Sequence, residues 1–427
     1  MTERDTIYAL SSGRPPAAVS VIRISGHRAH EAGMQIAAEL PPPRTAAVRE
    51  LRNPGSGELL DEALVLRFDS PASATGEDVV EFQCHGGRAV VGSILFALAS
   101  LPGLRPAEPG EFTRRAFVNG RIDLTEAEGL ADLIEAETES QRKTAIAVAE
   151  GGLRKQVAEW QERLLLLSAE AERSIDYDDE DGHLPPALRD DCAELERDLQ
   201  EWLDRPPVER LKDGIRVVVA GPPNSGKSSL INVIAGEERA IVTDIPGTTR
   251  DHIEVPLALD GVPLLLTDTA GLRVSADEVE IIGVARAARL IEAADLLVWL
   301  GDADNMPDRP QRILVHSRAD LPGRETVPDG ALAVSAHSGL GLAELLKRIG
   351  ILARSLLPSE GAIALNQRQR QHLEEAVSAL SNASASSEMV IIAEDLRLAR
   401  SAFDRLTGKA GVEDVLDALF SRFCLGK

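Results

Sequence analysis

The stretch Gly221-Pro-Pro-Asn-Ser-Gly-Lys-Ser228 constrains this chain more than any other. It reads G-x-x-x-x-G-K-S, follows the apolar run Ile215 to Ala220 and precedes the helix-like Ser229-Leu-Ile-Asn-Val-Ile. That is a phosphate-binding loop between a strand and a helix. Gly221 and Gly226 let the backbone turn tightly, so that N–H groups from Asn224 through Ser225, Gly226, Lys227, Ser228 and Ser229 converge on phosphate oxygens at a helix N-terminus. Lys227 is placed to reach the β- and γ-phosphates, and the Ser228 hydroxyl to ligate Mg²⁺. An ordinary strand-turn-helix is the bland alternative.

Composition narrows the rest. The 427 residues are 44% hydrophobic, enough for two or three domains. With 46 basic and 69 acidic residues the net charge is −23, so general polyanion affinity through a basic surface is not expected. Cys84, Cys192 and Cys424 are widely spaced, with no C-x-x-C pair, which reads as reduced thiols in a cytoplasmic protein. No run approaches membrane-span length, and the N-terminus lacks a signal-peptide layout.

Residues 1–118 mix strand-like runs (Ala18 to Ile24, Glu62 to Phe68, Asp78 to Gln83) with helical candidates at His30 to Leu40 and Ala89 to Leu101, a compact α+β domain. From 119 to 213 the chain turns helical. Thr125 and Glu128 suggest a capping box, and Leu153, Val157, Trp160, Leu164, Leu167 and Ala171 recur as one buried stripe. Gly151-Gly152 marks a break, and the acidic run Asp176 to Asp181 a solvated helix end. Residues 214–357 form the nucleotide domain, and 358–427 a second helical region whose natural partner is the first. The nucleotide domain therefore reads as an insertion.

Inside it, Asp260-Gly261 joins two strands as a hairpin, and the second runs into Asp268-Thr-Ala-Gly271. An acidic residue there holds the Mg²⁺ shell, and the Asp268, Thr269, Ala270, Gly271 turn meets the γ-phosphate. Ile245-Pro-Gly-Thr-Thr-Arg-Asp251 lies where a switch loop belongs. Leu296 to Leu300, Ile313 to Val315 and Leu332 to Val334 add strands, ending in Ser317-Arg-Ala-Asp320 and Ser335-Ala336. Gly301 to Gln311, with Pro307 and Pro310, is short for a helical crossover.

Taken in order, Gly221 to Ser228, Gly247 to Asp251, Asp268 to Gly271 and the terminal Phe423-Cys-Leu-Gly-Lys427 resemble the MnmE (TrmE) family of bacterial tRNA-modification GTPases. Val21 to Gly26, Thr75 to Glu81 and Pro109 to Phe117 are similar to its N-terminal domain, so the likeness covers the whole chain. The resemblance implies a multidomain α/β and α fold: an N-terminal α+β tetrahydrofolate-binding and dimerising domain, a discontinuous helical domain and an inserted Ras-like G domain. It implies a homodimer that modifies C5 of the wobble uridine of certain tRNAs with a folate-borne one-carbon unit, jointly with a flavoprotein, MnmG (GidA). The acidic balance fits a partner that supplies most of the tRNA surface.

The position after Asp268 to Gly271, where Ras-like enzymes carry a water-orienting Gln, is Leu272. The resemblance implies K⁺ beside the phosphates instead, held by Asn224, Thr243, Ile245 and Thr248. By the same carry-over Thr249 joins Ser228 on Mg²⁺, Asp244, Pro246 and Gly247 complete the switch around GTP, and Glu280 orients the attacking water. The folate contacts carry over to Arg23, Glu81, Arg121 and Lys427. Where the family has Asn-Lys-x-Asp this chain has Ser317, Arg318 and Asp320, so guanine is still read by Asp320, but with fewer donors and weaker affinity. Cys84 and His85, neighbours on a strand, point to opposite faces and make no dyad; a structural turn is expected. Cys424 is either a nucleophile or redox group near the folate or a packed anchor. Two other readings stand beside this one: a ribosome-assembly GTPase of the Era or Der type, and a GTP-binding scaffold without turnover. The N-terminal block and the Cys-x-Gly-Lys tail speak against the first, intact Lys227, Ser228, Thr249, Asp268 and Glu280 against the second.

Overall fold

The computed structural model describes residues 5–176, 186–237, 254–269, 287–359, 361–410, 413–421, 423 and 426. They fold as two compact units. One comprises residues up to Ala131 together with those from Asp404 onward; the other runs from Asp132 to Phe403.

The first unit is built on a six-stranded sheet of order β3-β4-β5-β2-β1-β6: β1 (Thr6–Leu10), β2 (Val19–Ser25), β3 (Ala47–Arg52), β4 (Leu59–Phe68), β5 (Val79–His85) and β6 (Leu104–Pro106). All pairs are antiparallel except β1 with β6. Alternation along β2 and β5 buries Ile22, Ile24, Val80 and Phe82 against α1 (Ala29–Ala37) and α2 (Arg88–Ala99). Next come α3 (Glu111–Val118) and α4 (Leu124–Glu135). The cap of α4 differs from the expected Thr125 and Glu128. Asp123 Oδ1 accepts from the Glu126 N–H (2.9 Å) and Glu126 Oε2 from the Asp123 N–H (2.8 Å). The helix begins at Leu124, so Asp123 is the cap; Thr125 and Glu128 are buried inside the element.

The end of the chain packs on α4, at the start of the first helical region. From Asp404 onward it belongs to the first unit. Leu416, Leu419, Phe420 and Phe423 form one cluster with Leu124, Ala127 and Ala131.

In the second unit, α5 (Glu139–Ala149), α6 (Gly152–Asp176), α7 (Pro186–Leu203) and the short α8 (Glu209–Lys212) precede a second sheet. Thr138 and Gln141 close a capping box on α5. The expected stripe of α6 is buried along its length, Leu153 at 0% exposure and Trp160 at 2%. Trp160 stacks on Phe403 at 6.1 Å and meets Trp202 edge-on at 5.3 Å, so residues from both sides of the second sheet share one core.

That sheet has the order β12-β11-β10-β7-β9-β8, from β7 (Ile215–Ala220), β8 (Glu254–Leu259), β9 (Val262–Asp268), β10 (Leu296–Trp299), β11 (Arg312–Ser317) and β12 (Leu332–Val334). Every pair is parallel except the β8–β9 hairpin, whose Asp260 and Gly261 adopt φ of 49° and 80° as a two-residue turn of this kind requires. α9 (Lys227–Glu237) and α10 (Leu342–Ser355) cover the sheet, and residues 287–292 are helical. Between β10 and β11 there is one 3₁₀ turn, Ala303–Asn305, in keeping with the short crossover.

After β12 and α10 the chain returns to the helices through α11 (Gln367–Ala385), α12 (Met389–Thr407) and α13 (Glu413–Ser421). The Val208 N–H donates to Leu365 O and the Gln367 N–H to Glu209 Oε1, so the chain leaves and re-enters the helical part at one place. This is an inserted parallel-sheet domain in a discontinuous helical domain.

Candidate nucleotide site

The strand-to-helix passage from β7 to α9 sets the phosphate end. Gly221, at φ 149°, brings the loop so close to β10 that a Cβ would lie 2.7 Å from Leu300 O. Asn224 takes a left-handed conformation, φ 62°, at the crest of the turn. Lys227 is buried, and its Nζ donates to Gly221 O (3.0 Å) and Pro222 O (2.9 Å), lying back across the loop it is to serve. The exposed Ser228 donates its hydroxyl to Asp268 Oδ2 at 2.7 Å. Asp268 ends β9 and is buried, and Thr269 fixes that end to β7 through Oγ1 donating to Val219 O at 3.0 Å. A hydroxyl and a carboxylate, hard oxygen donors meeting at the mouth of a phosphate loop, fit a Mg²⁺ that keeps most of its waters.

The base end is a cleft of about 310 Å³ lined in part by Gly226, Ser317, Arg318, Asp320, Ser335 and Ala336. Ser335 is buried, and its hydroxyl accepts from the His337 and Ser338 N–H groups. A hydrogen bond from Ser335 holds the Asp320 carboxyl below the usual carboxylate range, with His337 adding a smaller pull in the same direction. Asp320 is therefore an anion, the acceptor that two guanine N–H donors need. Ser317 does something its sequence position alone does not disclose: its Oγ donates to Ser225 O at 2.7 Å and ties β11 to the phosphate loop. Arg318 follows in a left-handed conformation, φ 55°, and lines the cleft. The Ser225 hydroxyl is buried among the described residues with no hydrogen-bond partner, a free polar group on the wall of the same cleft.

The structure thus brings together Asn224, Ser225, Gly226, Lys227, Ser228 and Ser229 with Asp268 and Thr269 at one end, and Ser317, Arg318, Asp320, Ser335 and Ala336 at the other. His337, Leu230 and Leu321 also line the base cleft and were not anticipated. His337 directly follows Ser335-Ala336, so adjacency was the available signal. Thr243, Asp244, Ile245, Pro246, Gly247, Thr248, Thr249, Ala270, Gly271, Glu280, Cys424 and Lys427 lie outside the described residues.

In the first unit, Arg23 and Glu81 stand opposite each other on β2 and β5 and pair at 2.8 Å, with the guanidinium 5.6 Å from the Phe112 ring centre. Arg121 is exposed and lies along Gly76, where a Cβ would sit 3.1 Å from its Cγ. The tail reaches this unit: Ser11 Oγ donates to Gly426 O at 2.8 Å, and a Cβ on Gly426, φ 93°, would lie 2.1 Å from Leu10 O. Cys84 is buried, and burial raises its thiol to about 11, with Asp61 adding to the shift. His85 points to solvent and bonds Asp61 at 2.8 Å, so the two neighbours form no dyad; His85 is the last residue of strand β5 rather than part of the expected turn. Cys192 is likewise raised to about 11 by burial.

Two family models match this chain: the GTP-binding protein TrmE N-terminus over residues 6–121 and the MnmE helical domain over residues 124–424. Among curated relatives, a tRNA modification GTPase MnmE of Novosphingobium aromaticivorans is 51% identical over 435 residues, spanning 99% of this chain and 100% of its own. One of the same description from Rhizorhabdus wittichii is 52% identical over 430 residues, spanning 99% and 97%. The phosphate loop, the buried acidic strand end and the cleft beside Asp320 therefore sit in a chain that is alike from end to end to those proteins, and it belongs to the MnmE family of tRNA modification GTPases.

Proposed function

We propose that this chain is a K⁺-stimulated GTP hydrolase that works as a homodimer and, with a flavoprotein of the MnmG type, modifies C5 of the wobble uridine of tRNA with a tetrahydrofolate-borne carbon, in the cytoplasm. The observation that carries the hydrolase reading is the Ser228–Asp268 contact of 2.7 Å beside Lys227. Lys227 exchanges its two loop carbonyls for the β- and γ-phosphates when nucleotide enters, and the Ser225 to Ser229 N–H groups take the remaining oxygens. Ser228 and Asp268, with Thr249 from the switch loop, would hold Mg²⁺. Mg²⁺, and K⁺ near Asn224, Thr243, Ile245 and Thr248, supply positive charge where the transferring phosphoryl group gains negative charge. Glu280 orients the water, and residues 214–357 act as the G domain. Asp320 reads guanine, and Arg318 stacks on it. Arg23, Glu81, Arg121 and Lys427 hold the folate, with Cys424 from the tail beside it. The Gly426–Ser11 contact favours that placement, because Ser11 follows β1 and Ala9 of β1 is registered with Arg23.

The test is steady-state GTP hydrolysis in K⁺ against Na⁺ at equal ionic strength. Strong K⁺ stimulation is expected. Turnover indifferent to the cation contradicts the K⁺ assignment, and binding without turnover favours the scaffold reading. For tRNA, binding by this chain alone that survives high salt contradicts the view that the partner supplies the polyanion surface.

A further inference from the structure

We propose that His30, Asp69 and Asp78 form a binding site for a divalent first-row cation, with zinc the best fit. His30 is the second residue of α1, Asp69 follows β4 and Asp78 precedes β5, so three elements of the first unit converge on one half-buried corner. One ring nitrogen and one oxygen of each carboxylate lie within 4.8 Å of one another.

The imidazole decides between a site and a coincidence. Its Nε2 stands 3.2 Å from Phe68 O. A carbonyl only accepts, so Nε2 carries the proton and Nδ1 of the neutral ring presents a lone pair. Asp69 Oδ1 approaches the other ring nitrogen, 3.4 Å from Nε2, while Nδ1 stands 3.6 Å from Asp78 Oδ2, beyond hydrogen-bond range and repulsive with nothing between them. Two ligands each about 2.1 Å from a tetrahedral zinc stand roughly 3.4 Å apart, close to this spacing. The outer contacts are those of a metal site as well. A metal-bound imidazole commonly gives its other N–H to a backbone carbonyl, here Phe68 O, and ligating carboxylates are themselves held. The Ser70 N–H donates to Asp78 Oδ1 at 2.9 Å, and Arg67 donates to both oxygens of Asp69, Nε to Oδ1 at 2.8 Å and Nη2 to Oδ2 at 3.3 Å. Two carboxylates and one guanidinium leave the corner with a charge of −1 around a neutral imidazole, so a dication is still attracted. One imidazole and two carboxylates suit zinc better than magnesium or calcium, which favour all-oxygen shells.

A cation here fastens the Asp69–Asp78 loop to α1. Thr75 in that loop bonds Ser25 at 2.7 Å, Glu77 bonds Arg115, and Gly76 lies against Arg121. The competing reading is a second proton on the ring, an imidazolium bridging the carboxylates.

Zinc titration by calorimetry of the full-length, chelator-stripped protein separates the two, because zinc bound at the phosphate loop is common to wild type and variants and cancels in the difference. The wild type is expected to bind one more zinc than His30→Ala, to lose at least about tenfold in affinity in Asp78→Asn, and to gain a Tm increase with zinc that both variants lack. Equal stoichiometry and affinity in wild type and folded variants overturns the proposal. So does a Tm that responds to pH between about 5 and 8 but not to zinc. If His30→Ala does not fold, Co²⁺ added to the wild type decides: an intense tetrahedral visible band that Asp78→Asn lacks supports the site, and its absence from the wild type refutes it. None of these readouts depends on GTP turnover.

Discussion

The two ends of the nucleotide cleft are made differently. At the phosphate end every side chain is of the type the chemistry demands, and each is held by a backbone or buried partner: Lys227 by loop carbonyls, Ser228 by Asp268, the β9 end by Thr269. At the proposed base end Ser317 and Arg318 stand where the family has Asn and Lys, yet the scaffold survives, because Ser317 bonds Ser225 O and Asp320 has its Ser335 support. The lesson is that anchoring a recognition loop and reading a base are separable tasks. A hydroxyl can do the first where it cannot do the second.

Substitutions at the two ends should then differ in size and kind. Lys227→Ala removes a charge aimed at the transferring phosphates, and GTP turnover is expected to fall by about a hundredfold or more, as for loss of a preorganised charge-stabilising group; a drop of only a few-fold breaks the assignment of the phosphate end. Asp320→Asn exchanges an anionic acceptor for an amide. GTP affinity is expected to fall by about ten- to a hundredfold, as for loss of a charge-assisted hydrogen bond pair, with turnover at saturating GTP little changed. Competition binding against GDP checks this.

Ser317→Ala removes only the tie between β11 and the phosphate loop. A loss of about 1 kcal/mol, near fivefold in GTP affinity, is expected, whereas Ser317→Asn restores the amide and should tighten binding. If Ser317→Ala is silent, the tie does not position the loop. Acidification should have a smaller effect still. Because the Asp320 pKa is lowered, its contribution to guanine binding is fully present above the ordinary Asp value of about 3.9 and fades only as pH falls through the depressed value. GDP affinity therefore owes no change to Asp320 between neutral pH and that range, and an Asp320-dependent loss near neutrality contradicts the geometry. Least of all should Cys84 and Cys192 respond: raised to about 11, both stay thiols at mildly alkaline pH, and alkylation of the folded protein should spare them.

What could be read from the sequence follows the same division. The phosphate loop, the Asp260-Gly261 hairpin and the α6 stripe are local patterns, set by a turn geometry or a helical period within a few residues. The Ser317–Ser225 bond joins residues 92 apart and the Ser11–Gly426 bond residues 415 apart. No local rule encodes such contacts. The α4 cap shows the limit inside a single turn, since Asp123 and Thr125 both satisfy a capping pattern and only the backbone path chooses between them. His30, Asp69 and Asp78 escape notice for the long-range reason: the first and last are 48 positions apart, with most of α1, then β3 and β4, between them.

The most direct test of the central claim, a nucleotide hydrolase that still reads guanine despite its altered base end, is kcat/KM for GTP against ATP with K⁺ and Mg²⁺ present. The account predicts that GTP is clearly preferred and that Asp320→Asn erodes the preference while Lys227→Ala lowers turnover of both by about a hundredfold or more. Equal or better use of ATP by the wild type would contradict it.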